Sequence, residues 1–145
     1  MSISVGDKIP AIELAVMGKD GPESINTRQI FSGKKVVLFA LPGTFTPTCS
    51  AAHVPGFVVF NDAIRAKGVD TIACLSVNDA YVMGAWGQAQ NVGDNILMLG
   101  DGNGDFTQAV GLSTDGTKSN MGIRSQRYAM IVEDGVVTHL NIETP

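Results

Sequence analysis

One cysteine in this sequence stands where the backbone can activate its thiol. Cys49 comes shortly after Thr46-Pro47, and threonine is a favourable N-cap while proline is favoured at the first helical position. Cys49 therefore falls in the first turn of a predicted helix, where unpaired N–H groups and the positive end of the helix dipole favour the thiolate. Because the thiolate is the reactive form of cysteine, the spacing predicts that Cys49 is a nucleophile.

The alternative is that Cys49 is an inert, buried thiol, as free cysteines commonly are. Its position argues against this alternative, because it follows a strand that ends at Leu41 and the breaker Pro42-Gly43. In open α/β sheets, ligands bind at the carboxyl ends of strands. The other cysteine, Cys74, lies in an apolar run and is expected in the core. Two isolated cysteines exclude a C-x-x-C pair and a zinc site built from local thiols.

The elements that must position Cys49 follow from the hydrophobic pattern. The predicted strands are 11–16 (an edge strand), 35–41, 70–77, 96–99, and the pair 127–133 and 136–142 around the turn Asp134-Gly135. The predicted helices are a short one from Asn26 or Thr27 to Gly33, one over 47–67 that is kinked or split at Pro55-Gly56, one from the cap Asn78 to Gln90, and one over 105–112. Alternating strands and helices imply a mainly parallel sheet with helices on both faces, and the terminal β-hairpin makes the sheet mixed. This is the plan of a thioredoxin-like α/β domain.

Length and composition limit the number of domains and the classes of partner and location that this chain can have. A chain of 145 residues predicts a single domain over 1–145. The net charge of −4 argues against a nucleic-acid partner. The longest apolar run, 36–41, is too short to cross a membrane. The first residues lack the pattern of a signal peptide, so a cytoplasmic location is expected.

The segment around Cys49 resembles a known active site. Pro42-x-x-x-Thr46-x-x-Cys49 is similar to the active-site motif of the peroxiredoxins, and the string PGTFTPTCSAAHVPGF (42–57) resembles their type 5 (type II) branch. Further matches are GVDTIACLSVNDAYVMGAW from Gly68, LGDGNGDF from Leu99 and RSQRYAMIVEDGVV from Arg124. The resemblance implies a thioredoxin-like fold and a thiol-dependent peroxidase that reduces hydrogen peroxide and small organic hydroperoxides, with no metal and no organic cofactor.

The resemblance also implies roles for individual residues. Cys49 would be the peroxidatic cysteine, which attacks a peroxide oxygen and becomes a sulfenic acid. Thr46 would position the peroxide, Pro42 would shield the pocket, and Arg127 would stabilise the thiolate and polarise the peroxide bond. Donors aimed at the departing oxygen stabilise its negative charge, so these assignments agree with the chemistry.

Two further residues are expected to support the site. Arg124 competes with Arg127 for the arginine role and is interpreted as a supporting or surface charge. His53 lies four residues after Cys49, on the same helical face. It either forms a Cys–His pair or packs as an ordinary helical histidine.

The resolving step is expected to use an external thiol. Members of this branch with an intramolecular partner carry it in a later C-terminal segment, and here the chain stops at Pro145, straight after the last predicted strand. The closing C-terminal helix of a thioredoxin-like domain is therefore expected to be missing, so that either the chain is truncated or one face of the sheet is covered in another way. Glutathione with glutaredoxin is the first choice of reductant and thioredoxin the second, while Cys74 as a resolving thiol is the alternative. The resemblance implies a homodimer through the surface near Phe45 and the 79–90 helix.

Two other functions compete with a peroxidase. A cysteine hydrolase would need a histidine and an orienting residue around Cys49, and His53 on the same helix gives poor geometry for that chemistry. A non-catalytic redox sensor or binding protein could use the same thiol.

Overall fold

The computed structural model describes residues 2–47 and 54–143. Its strands are β1 (Glu13–Gly18), β2 (Gly21–Asn26), β3 (Lys35–Ala40), β4 (Thr71–Ser76), β5 (Leu97–Gly100), β6 (Ser113–Asp115), β7 (Ile123–Ser125), β8 (Tyr128–Glu133) and β9 (Val136–Ile142). Its helices are α1 (Thr27–Phe31), α2 (Val54–Val59), α3 (Asn61–Arg65), α4 (Ala80–Ala89) and α5 (Asp105–Ala109), with a 3-10 turn at Thr117–Ser119.

Seven strands form one mixed sheet in the order β2-β1-β5-β4-β3-β8-β9, and β6 pairs with β7 in a separate ribbon. The central strands β3, β4 and β5 run parallel, and their continuous apolar sequences fit burial on both faces. β8 lies antiparallel to β3 and to β9. The β8–β9 connection is the predicted turn, in which Asp134 and Gly135 both have positive φ, as a two-residue hairpin of this type requires. The predicted thioredoxin-like mixed sheet with a terminal hairpin is confirmed.

Helices cover both faces of the sheet. Side chains from α1 and α5 pack on one face, in the core cluster that contains Leu38 and Tyr128. Side chains from α2, α3 and α4 pack on the other face, in the cluster that contains Phe39 and Trp86. Phe57 of α2 stacks on Phe39 of β3, with ring centroids 3.9 Å apart and planes within 2°. This contact fixes α2 against the strand that leads to the Pro42–Cys49 motif.

Two predictions about the elements were wrong. The first strand is not at the edge, because β1 lies between β2 and β5 and the unpredicted strand GPESIN takes the outer position. Pro55 and Gly56 do not split the helix, since both lie inside α2; the interruption comes at Phe60, whose ψ of 9° separates α2 from α3. Burial of Val54 and stacking of Phe57 outweigh the low helix propensity of the Pro-Gly pair, because tertiary packing dominates helical stability.

The N-terminal cap of α4 also differs from the prediction. The cap is Asp79, whose carboxylate accepts the N–H of Val82 at 2.9 Å. Asn78 lies one residue earlier, and its side chain accepts the N–H of Thr44 at 3.3 Å.

Within the described residues, no helix is long and apolar enough to span a bilayer. The single-domain organisation over 1–145 stays a prediction.

Candidate active site

The candidate site lies on the loop that leaves the carboxyl end of β3. The chain is non-helical from Leu41 to Thr46 and becomes helical at Pro47, which is the helix start that the Thr-Pro pair predicts. Cys49 and His53 lie outside the described residues, so their predicted roles stay predictions.

Thr46 is partly buried at the end of this loop. Its hydroxyl donates to the carbonyl oxygen of Gly43 at 2.8 Å. With its proton engaged in this bond, Thr46 Oγ1 keeps lone pairs that can accept a hydrogen bond from a ligand O–H group. The intervening residue, Phe45, has a φ of 59°, and this left-handed conformation costs a non-glycine residue about 1 kcal/mol.

Arg124 reaches this loop from the β7 ribbon. Its Nε donates to the carbonyl oxygen of Met121 at 2.8 Å. Its Nη1 lies 3.3 Å from the carbonyl oxygen of Val77 and 3.5 Å from that of Pro42. The guanidinium therefore bridges the backbone after β3 and the backbone after β4. Pro42 itself is partly buried, at the position where a shielding residue is predicted.

Arg127 approaches the same end of β3 from the neighbouring strand. It directly precedes Tyr128, whose partner across the β3–β8 ladder is Ala40. Because side chains alternate along a strand, Arg127 starts on the same face as Ala129, which packs in the cluster beneath α2. Its Nε lies 3.4 Å from Oε2 of Glu143. Both arginines thus lie near the predicted motif, and the choice of Arg127 for the catalytic role stays a prediction.

Cys74 is fully buried within β4. Its neighbours across the ladders are Phe39 in β3 and Met98 in β5. A thiol in this environment fits the predicted core role better than exchange with external thiols, which requires access.

A buried phenol lies beside Arg127 in sequence. Tyr128 is buried, and its hydroxyl has no hydrogen-bond partner among the described residues. Burial raises the pKa of this phenol well above its usual value, and the negative charge of the Asp101 carboxylate acts in the same direction. Tyr128 is therefore a neutral phenol at any physiological pH.

Sequence reasoning missed two residues that contact the loop, Ser76 and Asn78. Ser76 ends β4, and Asn78 follows two positions later, at the carboxyl end of a strand parallel to β3. The available signal was this placement, because polar residues that follow adjacent parallel strands meet at one edge of the sheet. The sequence pattern instead predicts that Asn78 caps a helix. Across residues 2–47 and 54–143, no cluster of three or more His, Cys, Asp or Glu side chains is placed to hold a metal ion.

The mixed sheet, its terminal hairpin and the helix that starts beyond β3 define a thioredoxin-like protein of the redoxin class. Residues 4–145 match the Redoxin family. The chain belongs to this family and, within it, to the type II branch of the peroxiredoxins.

Individual relatives agree with this assignment. The chain is 47% identical to peroxiredoxin-2E, chloroplastic, of Arabidopsis thaliana over 98% of its own length and 62% of that relative. A crystal structure of reduced Prx3 in complex with hydrogen peroxide, from Vibrio vulnificus, is 54% identical with a TM-score of 0.95, over 99% of this chain and 89% of that one. Peroxiredoxin 5 from Alvinella pompejana is 35% identical with a TM-score of 0.89, over 97% and 90%. The chain spans 62% and 65% of the length of two curated relatives that it matches.

Proposed function

We propose that this protein is a thiol-dependent peroxidase that reduces hydrogen peroxide and small alkyl hydroperoxides. The observation that carries the proposal is the Thr46 hydroxyl, held by Gly43 at the start of the helix on which Cys49 is predicted. The Vibrio vulnificus relative with hydrogen peroxide bound supports the same substrate. The relatives are peroxiredoxins by name, which supports a peroxidase over the alternative of a non-catalytic redox sensor.

The proposed reaction needs no metal and no organic cofactor. The Cys49 thiolate attacks one oxygen of the peroxide, so that an S–O bond forms while the O–O bond breaks. Thr46 Oγ1 accepts a hydrogen bond from the peroxide and holds it in line for attack. The departing oxygen leaves as hydroxide or alkoxide and takes a proton from solvent, and its developing charge is stabilised by the guanidinium of Arg127. Cys49 ends as a sulfenic acid.

Peroxide consumption by the wild type and two cysteine variants tests this function. We expect Cys49→Ser to lose the activity, because a hydroxyl is a much weaker nucleophile than a thiolate. Cys74→Ser is the matched control and is expected to retain the activity, since Cys74 is buried in the core. Equal rates in Cys49→Ser and the wild type would contradict the proposal.

The reductant is proposed to be an external thiol, glutathione with glutaredoxin first and thioredoxin second. Burial of Cys74 in β4 supports this one-cysteine route. Intact-mass analysis after one equivalent of peroxide should detect an added oxygen at Cys49, and a Cys49–Cys74 disulfide would contradict the route. Coupled assays with the two reducing systems in turn would identify the faster one.

A homodimer is proposed for the whole molecule. Two aromatic side chains near the site are exposed: Phe45, at 57%, and Tyr81 on α4, at 66%. Phe45 also contacts Trp86 of α4, with centroids 6.3 Å apart. Exposed aromatic residues are enriched at protein interfaces.

The cytoplasmic location stays a prediction, and the word chloroplastic in two relatives' names describes those proteins.

A further inference from the structure

The loop that carries Thr46 rests on the end of β4. The N–H of Leu41 donates to the carbonyl oxygen of Leu75 at 3.2 Å, which extends the β3–β4 pairing by one residue. Beyond this point the contact continues through side chains. Ser76 is fully buried, and its hydroxyl lies 2.7 Å from Oδ1 of Asn78 and 3.3 Å from the carbonyl oxygen of Leu41. A hydroxyl has one proton, and the shorter contact assigns it to Asn78.

Asn78 in turn holds the turn that precedes Thr46. Its Oδ1 accepts the N–H of Thr44 at 3.3 Å. A backbone N–H and a hydroxyl both converge on this atom, so the amide must present its oxygen, and not its NH2 group, to the loop. Thr44 is followed by Phe45 in the left-handed conformation, which persists only where the surroundings hold it. Thr46 closes the same turn through Gly43.

The opposite side of Asn78 is fixed by close backbone packing. A Cβ atom at Gly100 of β5 would lie 2.9 Å from the carbonyl oxygen of Asn78 and 3.2 Å from the nitrogen of Ala80. The N–H of Asp101 also donates to the carbonyl oxygen of Ser76 at 2.9 Å. The segment after β4 therefore packs closely against β5, and the Asn78 side chain of this segment contacts the Thr44–Phe45 turn.

We propose that Asn78 is a positioning residue for peroxide reduction, which acts through the N–H of Thr44 to set the place of the Thr46 hydroxyl. The proposal rests on the proposed peroxidase function. It predicts that loss of the Asn78 acceptor releases the turn and misplaces Thr46 relative to the peroxide. It also predicts that the Cys49 thiol reacts with other electrophiles as fast as in the wild type, because Asn78 affects the position of Thr46 Oγ1 and not the thiol itself.

Two rate constants measured on the reduced protein separate these effects. The first is the second-order rate constant for hydrogen peroxide, followed by stopped flow. The second is the rate constant for alkylation of Cys49 by iodoacetamide, followed by mass spectrometry; it depends on the thiolate and requires no positioned peroxide. For Asn78→Ala we expect the peroxide rate constant to fall by roughly 10-fold, since misplacement by about 1 Å can cost up to 100-fold. Alkylation should stay within about twofold of the wild type.

A conservative variant and a distant control sharpen the test. Asn78→Asp keeps an acceptor for the N–H of Thr44. Its peroxide rate constant, divided by its alkylation rate constant, should lie within about threefold of the wild-type ratio; the division corrects for any effect of the added charge on the thiol. Asn26 caps α1 through its side chain, so Asn26→Ala removes a comparable asparagine contact elsewhere. It should lower the free energy of unfolding without slowing the peroxide reaction.

Several outcomes would overturn the proposal. A wild-type peroxide rate in Asn78→Ala, an equal slowing of alkylation, an Asn78→Asp variant as slow as Asn78→Ala, or a slow Asn26→Ala variant would each do so. If Asn78→Ala does not fold, Ser76→Ala replaces it, because it removes only the hydroxyl that orients Asn78; a peroxide rate equal to wild type would then overturn the proposal. A wild type that consumes no peroxide would instead sink the proposed function itself.

Discussion

Two arginines lie near the predicted motif, and their contacts differ in kind. Arg124 donates to neutral backbone carbonyl groups, including those of Pro42 and Val77. Arg127 directly precedes Tyr128, the ladder partner of Ala40, and starts on the face of the sheet beneath α2. Because Arg124 uses its donors on backbone carbonyl groups of the loop, its contacts fit the supporting role, and the catalytic role of Arg127 stays a prediction.

We therefore expect Arg127→Ala to lower the peroxide rate constant much more than Arg124→Ala does, by roughly 100-fold against less than 10-fold. Arg28 on α1 is exposed, so Arg28→Ala controls for the loss of one positive charge. Stopped-flow rates at several hydrogen peroxide concentrations provide the measurement. The reverse ranking of Arg124 and Arg127 would sink the assignment.

The phenol of Tyr128 gives a prediction about stability instead of rate. Its hydroxyl is buried without a partner among the described residues, and a buried unsatisfied polar group costs about 1–3 kcal/mol. Tyr128→Phe removes that cost and keeps the ring, so the free energy of unfolding should rise by about 1 kcal/mol. Urea titration near neutral pH measures the change, and a clear loss of stability would contradict the expected environment.

The raised pKa of this phenol also predicts how the free energy of unfolding depends on pH. Burial raises the pKa of Tyr128 above its ordinary value of 10.0. Above that ordinary value the unfolded chain releases the phenol proton while the folded chain keeps it, so stability falls as pH rises, by about 1.4 kcal/mol per pH unit. Between about pH 9 and 11 the wild type should lose about 1.4 kcal/mol more than Tyr128→Phe. Parallel losses in the two proteins would show that Tyr128 does not carry the effect.

Elements with a strong local signal were predictable from the sequence. Asp134-Gly135 supplies two positive φ angles, so the hairpin follows from local chemistry alone. Asn26 and Gln29 form a capping box, which fixes the start of α1. The strand Gly21–Asn26 has no such signal, since Gly, Pro, Ser and Asn are poor strand formers; it forms because β1 offers it a pairing edge. Local strand propensity does not predict tertiary pairing of this kind.

Where β5 passes the segment between β4 and α4, a glycine allows the two backbones to approach closely. A Cβ at Gly100 would press on the backbone of Asn78 and Ala80, which cannot move as a side chain can. We expect Gly100→Ala to lower the free energy of unfolding by roughly 1–3 kcal/mol. Gly102 is the matched control, because its added Cβ would lie 3.7 Å from Asp79 Cα, at ordinary contact distance. Urea midpoints of the two variants test the pair, and equal midpoints would argue against the close approach.

For the molecule as a whole, the site assembles from distant parts of the chain. Thr46 and its loop follow β3, and Asn78 follows β4. Arg124 lies in β7, and Arg127 directly precedes β8. The motif around Cys49 was readable from spacing, since its residues are consecutive and their capping chemistry is local. The bond from Arg124 to Pro42 joins residues 82 positions apart, and only the tertiary fold, which places the β6–β7 ribbon beside the end of β3, brings them together. The residue spacing therefore predicts the motif but not the contacts that hold it.

The proposed homodimer is a property of the whole molecule, and its surface can be tested without touching the proposed chemistry. Tyr81 is 66% exposed near the start of α4, on the helix that contacts Phe45 through Trp86. Tyr81→Glu places a charge there, and a charge buried in an interface without a partner is strongly unfavourable.

We expect Tyr81→Glu to shift the protein from dimer to monomer in sedimentation-velocity runs at micromolar concentration. Tyr81→Phe is the matched control, because it keeps the apolar ring and should leave the dimer intact. The exposed residue Val5 lies in another part of the fold, where the carbonyl of Val137 accepts the N–H of Gly6, so Val5→Glu should also leave the dimer intact. If Tyr81→Glu sediments as the wild type does while Val5→Glu dissociates, the interface lies on the face near Val5, and the surface around Phe45 and α4 is free in solution.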